Sequence, residues 1–151
     1  MLAGQLALIA AALFTGAAVY INVAEQPARL ALDDRASLAE WKFAYQRGFA
    51  MQAPLALIGF SLGLIAARAE MDWHWAAGAF MLLANWPFTL IAILPTNKLL
   101  LDIAPQNVGP KSRELIRIWG RLHAVRSGLG ASATVVFLWA SLQAWLQAAL
   151  Q

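Results

Sequence analysis

The sequence predicts an all-α integral membrane protein, a four-helix bundle with short amphipathic interfacial helices. Three observations carry that reading. Of 151 residues, 61% are hydrophobic and 13% charged, with a mean hydropathy of +0.60, whereas a soluble domain carries roughly 25% charged residues. The apolar residues gather in four long runs and do not alternate as strand residues do. Each run approaches the ~20 residues that a helix needs to cross a bilayer.

The first span is expected over 2–24, with Gly4, Ala12 and Gly16 at a small-xxx-small spacing that lets another backbone approach. Tyr20, Asn22 and Glu25 close it, and Pro27 is expected to end the helix. Met1-Leu2-Ala3 lacks the positive start of a secretory signal, so a retained helix is expected. In the polar stretch 27–47, Ser37-Leu-Ala-Glu40 fits a capping box. Leu38, Trp41 and Tyr45 then follow at helical spacing opposite Lys42 and Gln46, as in a helix lying on the membrane surface.

The second span is expected over 49–67, with Gln52, Pro54 and a Gly59-xxx-Gly63 pair. The third is expected over 73–94, where Trp73 and Trp75 mark its interface end. Pro105-Gln-Asn-Val-Gly-Pro110 is a turn cluster, and Ser112 can cap the helix after it. Arg113, Arg117 and Arg121 share one face of that helix, while Leu115, Ile118, Leu122 and Val125 form another. The fourth span is expected over 126–149, with Trp139 and Trp145 towards its far end. The chain reads as one transmembrane domain, 1–151, without internal repeat or linker.

Charge sets the expected orientation. Of eleven Lys and Arg, all but Arg68 lie in the connections after spans one and three or beside them. The positive-inside rule then places both termini away from the cytoplasm, and a bacterial inner membrane is the expected location. A net charge of +3 with no basic run gives no reason to expect a nucleic-acid partner. The absence of cysteine excludes disulfides, thiolate metal sites and dithiol redox chemistry. His74 and His123 fall at opposite membrane faces, ~30 Å apart, too far to ligate one haem.

Chemistry is expected around Ala84–Asn97. At ~100° per residue, Asn85, Thr89 and Thr96 fall near one helix face, and Pro87 frees the carbonyl of Leu83. Polar groups in hydrocarbon require a neighbouring helix or a cavity. Glu25, Thr96, Asn97, His123 and Arg126 should converge at one depth near the cytoplasmic interface, with Tyr20, Asn85 and Thr89 extending the polar lining. Trp119, His123 and Arg126, at i, i+4 and i+7, share a face. A carboxylate, an imidazole, a guanidinium and a carboxamide can together hold and deprotonate an acidic substrate. The plainer reading is that Glu25 and Arg126 snorkel or pair, and that Trp41, Trp73, Trp139 and Trp145 anchor the interface.

Val-Tyr-Ile-Asn-Val-Ala-Glu-Gln-Pro-Ala-Arg (19–29), Asn85-Trp86-Pro87-Phe88-Thr89, Pro95-Thr96-Asn97 and Trp119-Gly-Arg-Leu-His-Ala-Val-Arg126 resemble the anthrone oxygenase-like family of small four-span membrane proteins. The resemblance implies oxidation of a hydrophobic aromatic, an anthrone, by molecular oxygen, with no metal, flavin or haem assigned. It matches Glu25, Asn97, His123 and Arg126 to a site, and the acidic CH₂ of an anthrone needs what these offer: His123 as base, with Arg126 and Asn97 as stabilisers of the anion. Glu25 would orient His123 or Arg126, and Trp86, Trp119 and Tyr20 would flank a flat ring. The alternative is a non-catalytic membrane protein that binds a lipid or hydrophobic small molecule, or assembles with a protein partner or with itself.

Overall fold

The structure, a computed structural model, describes residues 2–150. Its frame is four long helices, α1 Leu2–Ala31, α2 Asp34–Glu70, α3 Trp73–Leu101 and α4 Pro110–Ala149, each long and apolar enough to cross a membrane. No strand occurs among the described residues. α1 and α3 each pack against both α2 and α4, and α2 meets α4 across the bundle.

Each helix outruns its expected span. The 37 residues of α2 rise ~55 Å, against a hydrocarbon layer of ~30 Å. The bundle therefore extends past the apolar layer, and it carries two cores. One joins Ala7, Ala11, Phe14, Ala56, Trp75, Leu82 and Phe137 within the spans. The other joins Ile21, Leu38, Trp41, Ile93, Leu100, Ile116 and Trp119 at the Lys- and Arg-rich end. The stretch around Leu38 and Trp41 is thus no separate surface helix. It is the first part of α2, and its apolar stripe is covered by the other helices. The helix starts one turn before the expected box: Asp33 Oδ1 accepts from the N–H groups of Arg35 and Ala36 at 2.9 and 3.0 Å.

Pro27 and Pro95 do not end their helices. A proline in a helix lacks the donor for the carbonyl four residues back, and its ring crowds that carbonyl. Here the chain answers by widening a turn just before each proline. Residues Ile21–Glu25 and Thr89–Ile93 are π-helical, and the residue preceding each proline donates five residues back, Gln26 to Ile21 and Leu94 to Thr89. Single π turns of this kind recur at functional sites.

The hairpins α1–α2 and α3–α4 follow one plan, which the sequence alone does not reveal. Counting back from the two prolines, Ala7, Ala10, Ala11 and Phe14 of α1 match Trp75, Gly78, Ala79 and Leu82 of α3, and all are buried. Leu38, Trp41, Gln52 and Gly59 of α2 match Ile116, Trp119, Gly130 and Phe137 of α4, again all buried. Trp41 stacks on Tyr45 and Trp119 stacks on His123, and the two indoles meet edge to face at 5.8 Å. Gly63 and Gly78 both lie against Phe137, where a Cβ would come within 2.8 and 2.6 Å of its ring. Gly4 meets Trp75, whereas Gly16 faces open space.

Candidate functional site

Between the two cores lies a polar cavity of two adjoining chambers. The first, of about 20 Å³, is lined among others by Glu25, Tyr45, Gln52, Thr89, Asn97, Trp119, His123 and Arg126. The second, of about 50 Å³, shares Phe49, Gln52, Thr89 and Arg126 with it and adds Ala53, Ala56, Trp86 and Leu90. Both are narrow, so a ring system needs side chains such as Phe49 to move aside. Both π turns face the first chamber through Ile21, Glu25, Thr89 and Ile93.

His123, 1% exposed, is held from α1. Its Nδ1 lies 2.9 Å from Asn22 Oδ1. The orientation of the Asn22 amide is set independently: Nδ2 donates to the Gly120 carbonyl at 2.9 Å, and Oδ1 also accepts from Ser127 Oγ at 2.7 Å. Nδ1 must therefore be the protonated nitrogen, which leaves a lone pair on Nε2. The ring is further fixed by stacking on Trp119, centroids 4.9 Å apart.

Glu25 does not orient His123 or Arg126 as expected. It pairs with Arg29, which also engages Glu40 and donates to Gln26 Oε1 at 2.8 Å. The Arg29 guanidinium is buried and lies 5.5 Å from the Trp119 ring centroid. Arg126 makes no ion pair among the described residues. Its Nε is buried without a hydrogen-bond partner, and the guanidinium lies 5.5 Å from the Phe14 ring centroid. Buried polar atoms without partners crowd the same chambers: both amide atoms of Gln52, Asn97 Oδ1, Trp86 Nε1 and Trp119 Nε1. Native interiors leave few such groups without a ligand or an ordered water.

The structure brings together Glu25, Thr89, Asn97, Trp119, His123 and Arg126, with Trp86 in the second chamber. Three expected residues fall outside the chamber walls. Tyr20 is 63% exposed on the outer surface. Asn85 is buried, but it donates to the Leu82 carbonyl of its own helix at 3.0 Å and not across helices. Thr96 is buried off the chamber walls. The π turns explain Thr96 and Asn97. A wide turn inserts about one residue and slips the helical phase by ~100°. Across it, Asn97 rotates onto the face of Thr89, and Thr96 rotates off it. Asn22, Gln52 and Tyr45 were missed. Asn22, Gln26 and Arg29 repeat the i, i+4, i+7 spacing of Trp119, His123 and Arg126, and the two stripes face each other. For Asn22 that shared spacing is the available signal.

No curated protein and no solved structure matches the chain. A family model described as anthrone oxygenase matches residues 41–136, most of the chain and all of α3. On that match the chain belongs to the anthrone oxygenase family.

Proposed function

We propose that this protein is a membrane-embedded oxygenase acting on a flat apolar aromatic whose ring CH₂ is acidified by a conjugated carbonyl. The observation that carries the reading is the pairing of an imidazole, set by Asn22 to offer its Nε2 lone pair, with a guanidinium whose Nε is buried and that meets no carboxylate among the described residues.

In this reading His123 Nε2 takes one proton from the CH₂. The negative charge moves onto the conjugated oxygen, which Arg126 and the Gln52 amide stabilise; a preorganised cation in a dry site does this without solvent rearrangement. The carbanion gives its electrons to O₂ and forms a C–O bond, and the resulting peroxide takes a proton back from the imidazolium. Loss of water, with the second CH₂ hydrogen, leaves a carbonyl. One oxygen atom ends in the product and one in water, so the four-electron oxidation of carbon balances the reduction of O₂. Trp86 offers its unpartnered N–H to an oxygen on the far edge of the ring. We place the Asp34 and Pro110 end of the bundle in the cytoplasm, because the cationic residues gather there.

Oxygen uptake by purified, metal-chelated protein with anthrone as substrate tests the reading. Losing a positioned general base costs about 10²–10⁴-fold in rate, and His123→Ala should fall in that range. Equal uptake by wild type and variant removes His123 from the chemistry. No uptake by wild type across anthrones and hydroquinones leaves the non-catalytic ligand-binding alternative standing.

A further inference from the structure

Because the two hairpins follow one plan, the seam between α1 and α4 has a counterpart in the seam between α2 and α3. The two are built differently. Along α1–α4, Gln5 donates to Ser141 Oγ at 2.7 Å, and Thr15 and Thr134 share a hydroxyl bond at 2.9 Å. Asn22 bonds Gly120, His123 and Ser127, and Gln26 donates to the Ile116 carbonyl at 2.8 Å. Polar bonds run along the whole of that seam.

The α2–α3 seam is pinned only at its ends. Towards the cationic end, Lys42 Nζ donates to the carbonyls of Leu101, the last residue of α3, and of Ile103 just past it, at 2.8 and 2.9 Å. Deeper in the bundle the Phe60 and Phe80 rings meet edge to face at 5.5 Å. Between these points, level with the cavity, no side-chain hydrogen bond crosses from α2 to α3 among the described residues. The polar groups there, Gln52 and the Trp86 N–H, are buried and unpartnered. Two residues that line the second chamber, Phe49 and Leu90, are also 45% and 55% exposed on the outer surface. The chamber wall at this place is the lipid-facing surface itself.

We propose that the α2–α3 seam, between Phe49–Ala53 and Leu90, is a lateral entrance through which an apolar ligand dissolved in the bilayer reaches His123 and Arg126. The proposal rests on the reading above that the cavity is the ligand site. Parting the two helices at this level, where only dispersion contacts join them, leaves no side-chain hydrogen bond unsatisfied, whereas parting α1 from α4 strands several in hydrocarbon. It also removes the need for a water-filled route, which an apolar ring system enters unfavourably.

The chain contains no cysteine, so thiol pairs can be introduced without background. In lipid nanodiscs, association of anthraquinone is followed by quenching of tryptophan fluorescence. Bridging Ala53→Cys to Leu90→Cys with a short bis-thiosulfonate should slow association at least about tenfold, reversibly on reduction, while a Thr15→Cys–Thr134→Cys disulfide should leave it nearly unchanged. Equal slowing by both bridges, or by neither, overturns the entrance. Spin labels at Phe49→Cys and Leu90→Cys should give a broader distance distribution than labels at Leu13→Cys and Val135→Cys across the other seam. Equal widths overturn the entrance whether or not anthraquinone binds. Wild type that takes up no anthraquinone overturns the ligand reading alone, and the spin-label distances then still decide the seam.

Discussion

Replacing Asn22 by leucine separates the tautomer of His123 from the mere presence of the imidazole. Three hydrogen bonds disappear with the amide: those to His123 Nδ1, Ser127 Oγ and the Gly120 carbonyl. Interhelical polar bonds in membranes average ~0.6 kcal/mol, so the α1–α4 seam should lose about 2 kcal/mol. The effect on turnover is larger. A buried N–H left without an acceptor costs about 1–3 kcal/mol, and the imidazole escapes that cost by moving its proton to Nε2. The base then presents a hydrogen where the reaction needs a lone pair, and turnover should fall towards the ~10²–10⁴-fold loss of a missing base. Asn22→Asp keeps the acceptor for Nδ1–H and should retain far more activity. Oxygen uptake at matched folded fraction, steric-trap unfolding and the ¹⁵N shifts of His123 measure the three effects. An Asn22→Leu protein that loses stability yet turns over like wild type would refute the positioning role, as would a wild-type spectrum with the proton on Nε2.

Three further predictions follow from the packing and charge. Gly78→Ala should cost about 1–3 kcal/mol, because its Cβ would stand 2.6 Å from a Phe137 ring that also packs closely against Gly63. In a Phe137→Leu background most of that loss should vanish from the unfolding free energy. Arg29→Met leaves Glu25 and Glu40 without their cation, and breaking a buried pair costs about 3–5 kcal/mol; partial exposure of both carboxylates favours the lower end. Arg126→Met breaks no ion pair and should keep or raise stability while losing turnover, and the opposite ranking in thermal unfolding contradicts this division of roles. The Asp33 carboxyl is held below its ordinary 3.8 chiefly by the N–H of Ala36 and also by that of Arg35. A depressed folded value makes the cap's contribution complete above that pH and lost as pH falls through the folded value. Unfolding midpoints followed from about pH 5 downward through the folded value should show this acid limb in wild type and not in Asp33→Asn.

The bundle was legible because hydropathy and length determine whether a helix can span, and both are linear in the sequence. The site was legible where phase is unbroken. Trp119, His123 and Arg126 lie on an uninterrupted stretch of α4 and share a face as their spacing requires. Phase arithmetic failed across the π turns. Thr96 was placed beside Asn85 and Thr89, yet the wide turn at Thr89–Ile93 puts Asn97 there. Tyr20 lies just before the other wide turn and points outward. Glu25 turns to Arg29, four residues on in its own helix, and not to His123 or Arg126; that pair is legible in the spacing, whereas Glu40, which arrives from α2 and shares Arg29, is not. For Gln52 the sequence offers only an amide near the start of a span; the packing shows both of its polar atoms buried and unpaired.

The most direct test of the account is isotopic. Purified protein in nanodiscs, treated with chelator, is given anthrone under ¹⁸O₂, and the product is analysed by mass spectrometry alongside His123→Ala and a protein-free control. The account predicts one ¹⁸O in each anthraquinone, the other atom in water, formed about 10²–10⁴-fold faster by wild type than by the variant. Labelled product forming at one rate in all three samples would contradict it.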